Sequence, residues 1–136
     1  MVDRPKVESR LERLRLLLDE LEQIRAAGRE AYDAELRQRL ATQRALQLAI
    51  QACIDIAGHL LADSGEPIPP NYRALFPALT EQGLDSALAE RLATAAGLRD
   101  ILVHDYLDID EDVVWGSLEH LDDLRGFAAF AEARLG

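Results

Sequence analysis

Apolar residues recur along the first part of the chain at alternating intervals of four and three residues. In an α-helix this spacing places them on one face, whereas a strand would need alternation by two. No segment of the chain alternates by two over the length of a strand. The pattern therefore predicts a helical fold that begins with a helix over about 5–27, whose buried stripe is Val7, Leu11, Leu14, Leu18, Leu21 and Ile24.

A second helical segment runs from about Glu30 to Asp63. Its stripe is weak before Leu40, so the segment is either one helix or two with a break. Proline removes backbone donors and disfavours helix before it, so the Pro-rich stretch 64–70 reads as a linker. The stripe of this second segment comprises Leu36, Leu40, Leu46, Ala49, Ile50, Cys53, Ile54, Ala57, Leu60 and Leu61.

The remaining helices are predicted from their stop and cap residues. Pro77 should bend the first of them or restrict it to its first turn, and Asp108 with Glu111 resembles a capping box. Helices joined by short loops predict an all-α, up-and-down bundle of four to five helices, forming one domain over 1–136. The predicted segments are a short helix over 72–82, a helix capped by Asp85 or Ser86 that carries 97–106, and a last helix over 110–135.

Composition excludes several classes of protein. The chain carries 15 Lys and Arg against 25 Asp and Glu, a net charge of −10, which argues against broad nonspecific nucleic-acid binding. One cysteine, Cys53, excludes a disulfide framework and a cysteine-based zinc site. The N-terminus lacks the apolar core of a signal peptide, and the charge-free stretch 45–54 is shorter than the ~18 residues of a membrane span. We therefore expect a cytoplasmic protein that does not associate with membranes.

Polar side chains are densest between Gly97 and Tyr106, around an apolar anchor at 101–103. An ordinary charged surface helix fits the same residues. Arg99 and His104 are five residues apart, about 140° around a straight helix and roughly 7.5 Å along it. They meet only if the long arginine side chain wraps back, or if a second copy supplies the partner residue in a symmetric dimer.

The other titratable groups give weaker signals. Of the three histidines, His59 and His120 are expected to be structural or exposed. The chain has no Glu-x-x-His, the pair that helical di-iron sites use, so we expect no metal site. Asp55 lies among apolar neighbours, where an unpaired carboxylate is unfavourable. It is expected to pair with Arg99 or with His59, or to lie partly exposed at the edge of the stripe.

The string Arg99-x-x-x-x-His104-x-Tyr106 resembles the R-x4-6-H motif of HEPN-domain ribonucleases. The added tyrosine and the Ile-Leu-Val filling resemble the HepT-type toxins within that superfamily. The stretch 43–60, the Pro-rich linker, the short helix before Gly83 and the closing helix fit the same family. The resemblance therefore covers nearly the whole chain.

This resemblance implies a metal-independent endoribonuclease that acts as a homodimer, the toxin of a bacterial type II toxin–antitoxin system. His104 would take the proton from a ribose 2′-OH of RNA, and Arg99 would clamp the scissile phosphate. The antitoxin would be an MNT-type nucleotidyltransferase that attaches AMP to Tyr106, with ATP as its donor and no other cofactor. Asp100 stands where the family often has Asn and adds a negative charge beside the phosphate. Asp100 and Asp55 would support the site.

Two other functions fit the same residues. A noncatalytic module would hold a nucleotide or its phosphates in the same cleft. A purely structural dimer of helices would use the motif only at its interface. The acidity of the chain also suits docking to a basic surface of an antitoxin.

Overall fold

The computed structural model describes residues 3–105 and 107–135, and every regular element within them is helical. The all-α prediction is therefore confirmed. The predicted count of four to five helices is not, because short segments form helices of their own. The α-helices are α1 (Arg4–Ala27), α2 (Arg29–Ala34), α3 (Leu36–Ser64), α4 (Leu75–Ala78), α5 (Ser86–His104), α6 (Glu111–Ser117) and α7 (Leu121–Arg134), with 3-10 turns at Tyr72–Ala74, Leu79–Gln82 and Leu118–His120.

The core is built around α3, which contacts α1, α5 and α7. All six predicted stripe residues of α1 are buried, mainly against α3, and Cys53 is buried as well. By length and composition alone α3 is the one helix in the described residues that could cross a membrane, and 61% of its most apolar window is buried inside the molecule. An apolar helix enclosed by other helices is what a central core helix requires.

The second predicted segment is two helices, and the break lies at Glu35, whose backbone is extended. Leu36 and Leu40 are exposed, so their assignment to the buried stripe is wrong. Both lie in the first turns of α3, ahead of its first buried residue, Thr42, and Tyr32 of α2 fills the core at this end instead. A helix of six residues is too short to show a periodic stripe, which is why the sequence does not reveal Tyr32.

Glu111 joins three helices at this end of the bundle. Its Oε1 accepts hydrogen bonds from Tyr32 Oη at 2.8 Å and from Gln43 Nε2 at 3.1 Å. Its Oε2 lies 3.3 Å from Nε of Arg39. The Tyr32 ring packs on Trp115 with centroids 5.1 Å apart. These contacts hold α2 and α6 against α3, and burial together with the hydrogen bond to Glu111 raises the pKa of Tyr32 above its ordinary value.

The predicted last helix over 110–135 is two helices, α6 and α7, separated by a 3-10 turn. The cap predicted at Asp108 is wrong. Asp110 caps α6, because its Oδ1 accepts from the backbone N–H of Asp112 at 2.9 Å. Two aspartates so close together cannot be told apart as caps by sequence pattern alone.

A proline and a cap residue act in one of the two ways predicted for each. Pro77 is the third residue of α4, within the first turn. Backbone N–H groups in the first turn have no partner inside the helix, so a proline there removes no helical hydrogen bond. Asp85 caps α5, accepting from the N–H of Leu88 at 2.9 Å. Helix α5 ends at His104, and Tyr106 lies outside the described residues.

Replacing Tyr32 with Phe keeps the ring in the core and removes the hydrogen bond to Glu111. We expect the free energy of unfolding at pH 7 to fall by about 1–2 kcal/mol, measured by urea denaturation. Because folding raises the pKa of Tyr32, its contribution is complete below the unfolded value of about 10 and is lost as the pH rises beyond it. The difference between Y32F and the parent should therefore shrink at about pH 11. An unchanged difference there would contradict the role of this hydroxyl.

Candidate active site

The Arg99 side chain leaves α5 toward α3 and is held on three sides. Its Nε donates to Oε1 of Gln51 at 2.8 Å, and its Nη1 donates to Oδ1 of Asp100 at 3.1 Å. Its Cζ lies 5.2 Å from the centroid of the Tyr72 ring, a cation–π contact. The side chain is 17% exposed, and Nη2 has no partner among the described residues. The guanidinium is thus fixed in place with one nitrogen left for a ligand.

Gln51 connects Arg99 to two further charged groups. Its Nε2 donates to Oδ1 of Asp55 at 2.8 Å, and Oδ2 of Asp55 lies 3.6 Å from Nε of Arg10 on α1. The predicted direct pairing of Asp55 with Arg99 or His59 is not found in the described residues. Asp55 instead contacts Arg99 indirectly, through the Gln51 amide. Gln51 and Asp55 are four residues apart and share a face of α3, and Gln51 is the residue of this pair that contacts α5.

His104 is the last residue of α5 and is exposed. Arg99 turns toward α3, so one chain does not bring this imidazole and guanidinium together among its described residues. The helix closes beyond His104 with a hydrogen bond from the N–H of Asp105 to the carbonyl of Ile101 at 2.9 Å. The angular separation expected from the sequence is therefore present, and the arginine does not wrap back.

The remaining predicted residues lie apart from this pair. His59 is half-buried on α3, and His120 is exposed, with Nδ1 3.9 Å from Oδ2 of Asp123. Tyr106, the predicted modification site, falls outside the described residues. Within residues 3–105 and 107–135, no three His, Cys, Asp or Glu side chains are grouped so that they could hold a metal ion.

A cavity of about 480 Å³ opens between α3, α5, α6 and α7. Leu46, Ile50, Ala95, Leu98 and Val113 make its wall mostly apolar. None of the predicted site residues in the described part of the chain lines it. The candidate site is therefore the end of α5 with the two elements that touch Arg99, and not this cavity.

Sequence reasoning missed two residues of the site, Gln51 and Tyr72. The four-residue interval from Gln51 to Asp55 is a visible signal for a side-chain pair on one helix face. No pattern reveals that Tyr72 packs on Arg99, because that contact depends on how the chain returns after the Pro-rich linker.

Comparison with known proteins places this bundle in a family. The family model described as Ribonuclease HepT-like matches residues 14–132. The tRNA nuclease HepT of Aphanizomenon flos-aquae is 38% identical over 111 residues, 80% of this chain and 75% of that protein. The mRNA nuclease HepT of Shewanella oneidensis is 37% identical over 84 residues, 60% of this chain and 63% of that protein.

The fold agrees with the sequence match. A solved structure of a tri-AMPylated Shewanella oneidensis HEPN toxin in complex with an MNT antitoxin superposes with a TM-score of 0.85 and 27% identity, over 98% of this chain and 99% of that one. A toxin–antitoxin structure with AMP-PNP superposes with a TM-score of 0.83 and 26% identity, over 96% and 99% of the two chains. This chain belongs to the HepT-like ribonuclease family, which confirms the resemblance to the HepT-type toxins.

Replacing Gln51 with Leu removes the acceptor for Arg99 Nε at a half-buried position. We expect the free energy of unfolding to fall by about 1–3 kcal/mol, because a charged donor loses its partner. Denaturant unfolding measures this. Gln47→Leu is the matched control, one turn earlier on α3 at a glutamine with no hydrogen bond to the described residues. Equal losses in the two variants would show that the Gln51–Arg99 contact contributes nothing special.

Proposed function

We propose that this chain is the toxin of a bacterial type II toxin–antitoxin system, a metal-independent endoribonuclease that works in the cytoplasm. Membership of the HepT-like ribonuclease family supports the activity, and the relatives described as tRNA and mRNA nucleases support RNA as the substrate class. The observation that carries the proposal is the Arg99 guanidinium, fixed by Gln51, Asp100 and Tyr72 beside the helix end that exposes His104.

The two side chains suit cleavage of a ribose–phosphate linkage. His104 takes the proton of a 2′-OH, and the freed oxygen attacks the adjacent phosphorus. The bond from phosphorus to the 5′-oxygen breaks, leaving a cyclic phosphate and, after proton transfer, a 5′-hydroxyl. Arg99 stabilises the charge that gathers on the phosphate oxygens, a role that a metal ion fills in other nucleases. Single-stranded RNA fits best, because its backbone bends into line for the attack.

The active unit we propose is a homodimer, because Arg99 and His104 of one chain point to different sides of α5. An isologous interface repeats each patch, so two copies line one cleft with both motifs. Large apolar side chains are exposed at the end of α5: Ile101 is 43% exposed, and Leu107, just after the helix, is 83% exposed. Exposed apolar side chains grouped at one place suit a surface that a partner covers.

The antitoxin we propose is an MNT-type nucleotidyltransferase that transfers AMP from ATP to Tyr106. The likeness to a tri-AMPylated HEPN toxin bound to an MNT antitoxin supports this. Tyr106 is two residues from His104, so an AMP group there would fill the cleft and repel the phosphates of RNA. Asp100 and Asp55 support the site by holding Arg99, the first directly and the second through Gln51.

Replacing His104 or Arg99 with Ala should lower the rate of RNA cleavage at least ~100-fold, because each variant loses a group that acts on the reacting atoms. Cleavage of labelled RNA in the presence of EDTA measures this, and growth arrest on expression of the chain should disappear in parallel. His120→Ala is the control and should cleave like the parent. If His104→Ala cleaves as fast as the parent, the nuclease assignment fails. If nucleotide binds and protects Arg99 without cleavage, the noncatalytic module is favoured instead.

Coexpression with an MNT-type nucleotidyltransferase should add the mass of AMP groups to this chain, which intact mass spectrometry detects. Tyr106→Phe should remain unmodified and toxic in the same cells, because its ring lacks the hydroxyl that accepts the group. A neutralised complex in which Tyr106 carries no adduct would contradict modification as the means of control.

A further inference from the structure

We propose that Arg73 is a second phosphate-binding residue of the RNA site. Because Gly97 has no side chain, the Arg73 guanidinium can lie directly against α5. The inference rests on the proposed ribonuclease function and extends its substrate-binding surface beyond the catalytic pair.

Gly97 is buried in the middle of α5, and the guanidinium of Arg73 covers it. A Cβ atom placed on Gly97 would lie 2.9 Å from Cζ and 3.1 Å from Nε of Arg73, and closer still to Nη2. Real Cβ atoms essentially never approach a neighbour more closely than 3.0 Å. Glycine within a helix is about 1 kcal/mol less favourable than alanine. The glycine at position 97 therefore lowers helix stability at the place where it lets Arg73 approach the backbone.

The approach of Arg73 is fixed by a short and well-anchored segment. Oδ1 of Asn71 accepts from the N–H of Ala74 at 3.0 Å and caps the 3-10 turn that carries the arginine. The preceding residue of that turn, Tyr72, packs on Arg99. The turn therefore contacts α5 at two points. The Tyr72 ring packs on Arg99, and the Arg73 guanidinium covers Gly97.

The position of Gly97 places this second cation on the face of His104. Seven residues separate Gly97 from His104, which is two turns of helix, with the two positions about 20° apart around the axis and roughly 10.5 Å apart along it. Arg99 is about 140° from His104 by the same count. An RNA strand that follows this face of α5 from the imidazole thus meets Arg73, which suits the phosphate that flanks the scissile linkage.

The distribution of charge around the site supports the same role for Arg73. The Arg99 guanidinium is paired with the Asp100 carboxylate, so together they add little net positive charge. Arg73 forms no ion pair or hydrogen bond with the described residues. In a chain with a net charge of −10, such an arginine at the site supplies attraction for phosphate that the Arg99–Asp100 pair cannot. Arg37 is likewise exposed and unpaired within the described part of the chain but lies on α3, away from this face, which makes it a matched control.

The test measures RNA binding by the full chain carrying His104→Ala, so that the probe, a fluorescein-labelled single-stranded RNA, stays intact. Adding Arg73→Ala should weaken binding about tenfold and reduce the slope of log affinity against log salt by about 0.7, because one phosphate is no longer neutralised. Adding Arg37→Ala should change neither. Unchanged affinity and slope with Arg73→Ala would overturn the proposal, as would loss of antitoxin capture while RNA binding stays intact.

Gly97→Ala tests whether the position of the Arg73 guanidinium matters as well as its charge. It keeps Arg73 but displaces its guanidinium, so RNA binding should weaken while the Tm holds or rises, because alanine favours helix. Gly58→Ala, at a helical glycine with nothing within 4 Å of the added atom, should raise the Tm and leave RNA binding unchanged. Combined with Arg73→Ala, Gly97→Ala should weaken binding no further. Effects that add in full would show that Gly97 acts without Arg73 and would overturn the seating argument.

Different results would overturn the ribonuclease function and the role of Arg73. If His104→Ala does not slow cleavage in an otherwise unchanged chain, the proposed ribonuclease function fails. If His104→Ala abolishes cleavage, Arg99→Ala weakens RNA binding and Arg73→Ala does not, only the second phosphate-binding residue fails.

Discussion

The site depends on how an arginine is kept at a helix–helix contact. A guanidinium carries five N–H donors and never loses its charge, so a largely buried one needs a partner on each side that faces protein. Gln51 meets Nε of Arg99, Asp100 meets Nη1, and the Tyr72 ring covers one face. Gln51 is fixed in turn by Asp55, which is paired with Arg10. Three helices and one 3-10 turn therefore determine where a single guanidinium points, and only its Nη2 is left without a partner among the described residues.

An acidic chain that acts on RNA, as we propose, requires its positive charge to be local. Most described arginines are paired with carboxylates, including Arg29 with Asp112 and Arg91 with Asp123. Such pairs neutralise the surface away from the site and add little stability at exposed positions. The acidic surface then repels nucleic acid overall, and attraction depends on the arginines that have no carboxylate partner among the described residues, of which Arg73 lies beside Gly97 of α5. This suits the proposed nuclease, in which RNA binds at the end of α5.

The fold was predictable to the extent that it depends on periodicity. Every stripe residue of α1 is buried, and α5 is capped by Asp85, one of the two residues predicted for that role. The failures fall on short elements. Tyr32 sits in a helix of six residues, and the last helix is interrupted by a 3-10 turn at Leu118–His120. Periodicity needs several turns to be visible, so one-turn and two-turn helices are assigned by tertiary contacts that no local pattern contains.

The sequence by itself determined that this chain is helical and that Arg99 and His104 lie at one helix end on different faces, because helical spacing fixes angles between residues near in the chain. It also carried the string that marks the family. Only the tertiary structure decided what surrounds that end: Gln51 against Arg99, Asp55 acting through Gln51, and the turn that lays Tyr72 and Arg73 across α5. Those contacts join residues far apart in the chain, and their geometry is set by how whole helices pack rather than by the order of residues within one of them.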